Sequence, residues 1–260
     1  MNPEAWRQRC GIFLLACAVV LLAGGCASAP TNPDDPLERY NRAMFSFNEG
    51  ADRLVIRPAA RIYDAVTPAP VQTGIGNFFS NLGDLWIGLN NVLQGKIADG
   101  LSDWGRFAVN STIGLAGVLD VASGMNLPKH DEDFGQTLAV WGVAEGPYFV
   151  VPLFGPRTLR DAAALPLDLR GDNVLSIDHV PTRNSMTVVR LAHFRSRLLG
   201  LERTLDEGSL DKYVFARDFY LQQRRYRVHD GHPPALQYED FDAEEAAPPA
   251  REIEQERAVQ

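Results

Sequence analysis

PVQTGIGNFFSNLGDLWIGLNNVL, residues 70–93, decides the fold class. After Pro70, Val71, Ile75, Phe78, Leu82, Leu85, Leu89 and Val92 recur at alternating steps of four and three, which is one face of an α-helix. Phe79, Trp86 and Leu93 flank that face and make it unusually broad. Gly74, Gly76, Gly83 and Gly88 lie in the same stretch. Each glycine costs about 1 kcal/mol relative to alanine in a water-exposed helix, whereas membrane helices carry glycine more often. The stretch therefore predicts a helix whose wide face meets lipid, or another helix at very close range.

Upstream, Asp35-Pro36-Leu37-Glu38 combines an N-cap carboxylate, a proline at the first helical position and a glutamate at the third. Leu37, Tyr40, Met44, Phe47, Ala51 and Leu54 then form a helical stripe that Pro58 is expected to end. Downstream, residues 97–107 predict a third helix with Leu101 and Trp104 on one face, running into a small, apolar stretch over 110–122. A last helical region is expected over 187–226, with Leu191, Phe194, Leu198, Leu201 and Leu205 as its stripe. Arg190, Arg195, Arg197, Arg203, Arg224 and Arg225 form its polar side, a solvated face or a surface for anionic headgroups. Sustained period-two alternation between hairpin turns is missing, so the expected fold is all-α, in one domain.

Residues 134–156 break the pattern, being apolar with Glu145 as the only charge. Gly142, Gly146, Pro147, Pro152, Gly155 and Pro156 prevent one straight spanning helix. Irregular backbone at membrane depth is tolerated only where protein or a water-filled cavity satisfies it, so a hairpin or loop lining a cavity is expected.

The ends of the chain place it. Arg7 and Arg9, an apolar run shorter than the ~20 residues of a spanning helix, and a small-residue Gly24-Gly25-Cys26 have the layout of a secretory signal peptide over 1–25. Leu22-Ala23-Gly24-Gly25-Cys26 resembles a bacterial lipobox, with Ala23 where leucine is usual, and predicts acylation of Cys26. Multiple acyl chains hold a protein to a bilayer far more firmly than one. Ala27 follows Cys26 where such lipoproteins carry aspartate if retained at the inner membrane, which points to the outer one. Cys10 and Cys17 leave with the leader, so no thiol remains for a disulfide, a metal or a nucleophile. Residues 26–34 read as a tether, 35–228 as the body and 229–260 as an acidic, largely disordered tail. After Gly25 there are 32 acidic and 23 basic residues, of which the tail holds 9 and 2, leaving the body only 2 negative. That body lacks the basic stripe of a nucleic-acid binder.

Six strings in order carry a family resemblance: DPLERYNRAMFSFN at 35–48, NFFSNL at 77–82, LNNVLQGK at 89–96, RFAVNSTIGLAGVLDVA at 106–122, DFGQTLAVWGVAEGPYFVVPLFGP at 133–156, and LRD at 159–161. Together with the leader they resemble the MlaA (VacJ) family of outer-membrane lipoproteins. The resemblance implies a helical ring in the inner leaflet of the outer membrane, on its periplasmic side in a Gram-negative envelope, with an amphipathic pore. It implies that misplaced phospholipids pass from the outer leaflet to a periplasmic carrier, MlaC, in a retrograde direction, beside a trimeric porin. By the same resemblance residues 134–156 are the pore-lining hairpin, with Gly142 and Gly146 as hinges, Glu145 facing the aqueous pore, and Pro147 and Tyr148 along the lipid path. Phe45, Phe47 and Asn48 fall where the family's gating is sensitive to change. The plainer alternatives are ordinary helix packing with Asn48 turned to water, turn glycines without a hinge role, and an exposed carboxylate at Glu145.

Two other functions compete. A lipid-cleaving serine hydrolase needs a Gly-x-Ser-x-Gly elbow, which the sequence lacks, and His130 beside Asp131 and Asp133 sits in a polar loop. His229 and His232 lack the paired His-Glu pattern of a zinc protease, so no metal, cofactor or catalysis is expected. A purely structural lipoprotein scaffolding the porin is the second alternative, against which the glycine-proline segment argues.

Overall fold

The computed structural model describes residues 35–200 and 211–234. The leader, Cys26, the tether, Leu201, Arg203, Leu205 and the tail beyond 234 lie outside the described residues. The helices are α1 (Glu38–Ala51), α2 (Arg57–Val66), α3 (Ala69–Leu93), α4 (Ile97–Thr112), α5 (Val121–Gly124), α6 (Phe134–Val140), α7 (Leu159–Gly171), α8 (Val180–Ser196) and α9 (Lys212–Val228). Tyr148–Val151 (β1) and Gly155–Thr158 (β2) pair antiparallel as a hairpin, Val151 opposite Gly155. The fold is thus helical as expected, with one short sheet inside the glycine-proline segment. Periodicity did not reveal it, because four-residue strands are too short to alternate legibly.

Asp35 is not the N-cap of α1. Leu37 takes that position, without a side-chain cap, and the Asp35 carboxylate is turned inward, fully buried, where it accepts from Asn41 Nδ2 at 2.9 Å and from the Tyr213 hydroxyl. Pro58 does not end the helix either. A π-helical turn over Asp52–Ile56 leads directly into α2, and this wider turn accommodates Pro58, which lacks an N–H for the carbonyls one turn back. Asp52 fixes this junction by accepting from Arg195 Nε and Nη2 at 2.7 and 2.8 Å, and from Arg57 Nε at 3.1 Å.

α3 and α4 form the central helical hairpin, and their contact explains part of the glycine content. A Cβ on Gly100 would lie 2.7 Å from the Gly88 carbonyl oxygen, so the backbones meet. Gly74 likewise admits the Val118 side chain. Of the two readings for this stretch, close helix contact applies to these positions. The α3/α4 interior is polar: Asn81, Asp84, Asn90, Asn91, Asp103, Arg106 and Asn110 are all buried. Asn91 Nδ2 donates to Asp103 Oδ2 at 2.8 Å, Arg106 forks onto Asp120 at 3.1 and 3.2 Å, and Lys129 pairs with Asp84. Leu101 and Trp104, the expected stripe of α4, are 59% and 37% exposed, Trp104 with its Nε1 donating to Leu85 O at 3.2 Å.

The late helical region is two helices, α8 and α9, and its arginines divide: Arg197 and Arg225 are exposed, as a solvated face requires, and Arg203 lies outside the described residues. Arg190 instead pairs with Asp172 at 2.7 Å, Arg195 with Asp52, and Arg224 is buried against Asp133 at 2.6 Å and Asp161 at 2.8 Å. The stripe residues Leu191, Phe194 and Leu198 are exposed as well. Just beyond the end of α9, Asp230 pairs with Lys96.

Candidate functional site

α1 holds the hairpin by its main chain. Asn41 Oδ1 accepts from Val150 N at 2.9 Å and its Nδ2 donates to Tyr148 O at 3.0 Å. Two turns further, Asn48 Oδ1 accepts from Leu153 N at 2.7 Å and its Nδ2 donates to Val151 O at 3.1 Å. The two amides stand where a third strand would stand, satisfying the outer edge of β1. Pro156, opposite Val150, fits because the Val150 N–H points away from β2 toward Asn41. Asn48 therefore is not turned to water.

Beneath the hairpin, Tyr148 and Val150 are buried with Tyr213, and Met44 and Phe45 pack against them. Phe45 meets the Tyr213 ring edge-on at 5.7 Å. Burial, and then the bond to Asp35, push the Tyr213 hydroxyl well above the ordinary tyrosine range. Tyr148 is thus a core residue that anchors the strand, not a lining residue of an open path. Phe47, in contrast, is 53% exposed on the far side of α1.

Between α6 and β1, Gly142 and Gly146 both adopt positive φ, +87° and +66°. Gly142 has open space around it, whereas a Cβ on Gly146 would crowd Leu159. Glu145 is exposed and its carbonyl accepts from Arg160 N at 3.1 Å, while Pro147 O accepts from Leu159 N at 2.9 Å. The loop is therefore sewn to the start of α7 by main-chain bonds on its β1 side and is freer near Gly142.

Buried charge supports this assembly from behind. Arg224 also donates to Gln136 Oε1 at 3.1 Å, and Tyr220 OH donates to Asp161 Oδ2 at 2.7 Å. Burial raises the Asp161 carboxyl, but the charge and bonds of Arg224, with Tyr220 and Arg160, outweigh it and hold it below the usual range. His130 does not pair with Asp131 or Asp133. Its Nδ1 lies 2.9 Å from Asp103, while Asp131 pairs with Arg227 and Asp133 with Arg224. The suspected dyad is not assembled, and the described residues contain no cluster able to hold a metal ion.

The outer surface carries many large exposed apolar side chains. Leu54, Val55, Ile62 and Val66 are 64–78% exposed, and Leu101, Ile113, Leu115, Leu153 and Phe154 share the outer surface. An apolar surface of this extent marks a membrane or protein contact. Among the described residues no helix is long and apolar enough to cross a membrane.

A family profile described as MlaA lipoprotein matches residues 33–227. The chain belongs to the MlaA lipoprotein family. Within it, the chain is 34% identical to the intermembrane phospholipid transport system lipoprotein MlaA of Escherichia coli (strain K12), over 84% of this chain and 88% of that one. The counterpart of Haemophilus influenzae is 27% identical over 84% of this chain and 91% of its own. A solved structure described under "Structural basis for maintenance of bacterial outer membrane lipid asymmetry" superposes with a TM-score of 0.65 at 32% identity, covering 75% of this chain and 98% of that one. The resemblance drawn from the six strings is thus established at the level of family and fold. Sequence reasoning missed Asn41, Asp35, Tyr213 and Arg224. For Asn41 a signal existed: it stands seven residues, two helical turns, before Asn48 on the same face of α1.

Proposed function

We infer that this MlaA-family protein is anchored through Cys26 at the periplasmic side of the outer membrane, where it withdraws phospholipids from the outer leaflet and passes them to a periplasmic carrier. The observation that carries this reading is the inversion of the body: charged and amide side chains fill the interior while large apolar side chains cover the outside. Such a body is at home in an acyl layer, where its paired interior groups hold it together. The names of the relatives, which place them in an intermembrane phospholipid transport system, support the same cargo. In this reading the 134–156 segment lines the lipid path, Gly142 and Gly146 let it move, Glu145 faces the path, and a trimeric porin flanks the apolar outer surface. Phe45 and Asn48 influence the path through the hairpin they support, and Phe47 from the exposed surface of α1.

The test is the phospholipid content of the outer leaflet in cells lacking the protein, complemented by wild type, by Cys26→Ala and by the Gly142→Pro/Gly146→Pro double variant. Proline cannot adopt the positive φ of either glycine. Loss is expected to raise surface phospholipid, with only wild type restoring the baseline. An unchanged surface after loss leaves a porin scaffold without lipid movement as the better account.

A further inference from the structure

Away from the hairpin, an apolar groove of about 600 Å³ lies between the first half of α3 and α8, lined by Val71, Ile75, Phe78, Phe79, Met186 and Val189. Its size falls within the ~300–1,000 Å³ typical of ligand sites. Phe79 also forms one wall of a second, smaller recess of about 160 Å³, whose other walls include Trp86, Asp168, Asp172, Asn173 and Arg190. The two spaces share Phe79; the smaller is mainly apolar but carries polar groups, among them one cation, and the Arg190 guanidinium lies 6.0 Å from the Phe79 ring centroid. Arg190 reaches Asp172 through Nη1 only, at 2.7 and 2.9 Å.

Beyond Arg190 the recess is rich in acceptors. Asp168 accepts from Trp86 Nε1 at 3.0 Å and from Phe134 N at 2.9 Å, both on Oδ1, which leaves Oδ2 for another donor. Asn173 spends its Nδ2 on Leu82 O at 2.9 Å, so its Oδ1 is the atom left over. The two adjoining spaces thus combine an apolar groove, a cation already paired with Asp172, and free carboxylate and amide oxygens. That combination matches a lipid whose acyl chain is followed by a phosphate and then by a group that only donates hydrogen bonds. A primary ammonium has three donors and no acceptor, whereas a glycerol headgroup brings hydroxyls and no positive charge.

Resting on the phospholipid reading above, we propose that the α3/α8 groove and its adjoining recess form a resting site for one phospholipid selective for an ethanolamine headgroup. The acyl chain lies along Ile75, Phe78 and Val189, the phosphate meets Arg190, and the ammonium meets Asp168 and Asn173. Selection comes from the recess, retention from the groove.

The test uses the full, lipidated protein purified in detergent and exposed to equal amounts of phosphatidylethanolamine and phosphatidylglycerol with identical acyl chains, with bound lipid counted by native mass spectrometry. Wild type is expected to hold the ethanolamine lipid in about fivefold preference, the scale of one partly exposed charge contact. Asp168→Asn should remove the preference but not the binding, and Val189→Trp should reduce both lipids together. Because either change can disturb folding, the unaltered protein is also irradiated with phosphatidylethanolamine carrying a photoreactive acyl chain. Crosslinks are expected within residues 71–79 and 185–189. Equal retention of both lipids by wild type, or crosslinks confined to other segments, overturns the proposal. In cells, a Val189→Trp protein that binds no lipid yet restores the outer-leaflet baseline refutes this site while the transport reading stands. A null strain with an unchanged outer leaflet refutes the transport reading itself.

Discussion

Replacing Asn48 and Asn41 by alanine separates a local clamp from a structural anchor. Each asparagine makes two bonds to the hairpin main chain, but their surroundings differ. Leu153 is 65% exposed, so water can take over at the tip when Asn48 is removed. The two lost bonds are then worth about 1–2 kcal/mol together, felt as local opening. Asn41 is fully buried and also donates to the Asp35 carboxylate. Its removal strands the Val150 N–H, the Tyr148 carbonyl and one carboxylate oxygen, at about 1–3 kcal/mol for each group left without a partner. Hydrogen exchange followed by mass spectrometry on the peptide spanning 149–155, together with the thermal midpoint in detergent, distinguishes the two. Asn48→Ala should speed exchange in that peptide by about five- to thirtyfold while moving the midpoint little. Asn41→Ala should lower the midpoint by on the order of 10 °C. If exchange in the hairpin is unchanged in both variants, pairing with β2 alone holds β1, and the asparagine clamp is not what positions the segment.

Arg224→Met should be severely destabilising, by about 3–5 kcal/mol, because it leaves the buried Asp161 without its main partner; a urea midpoint within experimental error of wild type refutes this. Gly100→Ala should cost about 1–3 kcal/mol by driving the α3 and α4 backbones apart. Gly142→Ala, with open space around it, should cost only the roughly 1 kcal/mol of a positive φ, so matched denaturation curves should rank Gly100→Ala as the worse. For acid, burial raises the Asp120 carboxyl, but bonds from Ser123 and Asn110 and the charge of Arg106 prevail and hold it at about 2. With Asp161 also depressed, their stabilisation is complete above the unfolded value of ~3.9 and is lost as pH falls through the folded values. Melting should thus stay level from neutral pH to about 5 and drop below about 4; Asp120→Asn should remove a minor part of that drop, since the residue is partly exposed and screened.

The helices were legible because an apolar stripe at steps of three and four has one physical cause whichever way it faces. Val71 to Leu93 reads as a helix in either solvent. The direction of the stripe was not legible. Leu101 and Trp104 mark a face of α4, but only the neighbouring chain reveals that Asp103 and Arg106 turn inward to Asn91 and Asp120. Nor does a local rule distinguish Asp35 as a cap from Asp35 as a buried acceptor, since the deciding partner, Tyr213, lies 178 residues away. The hairpin itself was expected from its glycines and prolines, but its strands were not: the outer edge is completed by side-chain amides, which leave no strand-like pattern in the sequence of α1.

These unread features have one origin. In the membrane reading proposed above, a body whose outside is apolar gains little from hiding its leucines, because acyl chains would offer them the same environment as a core does. Cohesion must then come from groups that the surroundings cannot satisfy. Buried amides and ion pairs serve that purpose: Asn91 to Asp103, Arg224 to Asp133 and Asp161, and Asn41 to the hairpin each join elements that are distant in sequence. Water would compete for each of these bonds, and hydrocarbon does not. Within the 134–158 segment Gly142 has open space around it, though its N–H still caps α6 on Ala139 O, and the outer tip at Leu153 is held at its N–H by Asn48. Motion of the hairpin is therefore expected to pivot at Gly142 and to begin by release of Asn48, with Asn41 and the Tyr148–Tyr213 contact remaining as the fixed end.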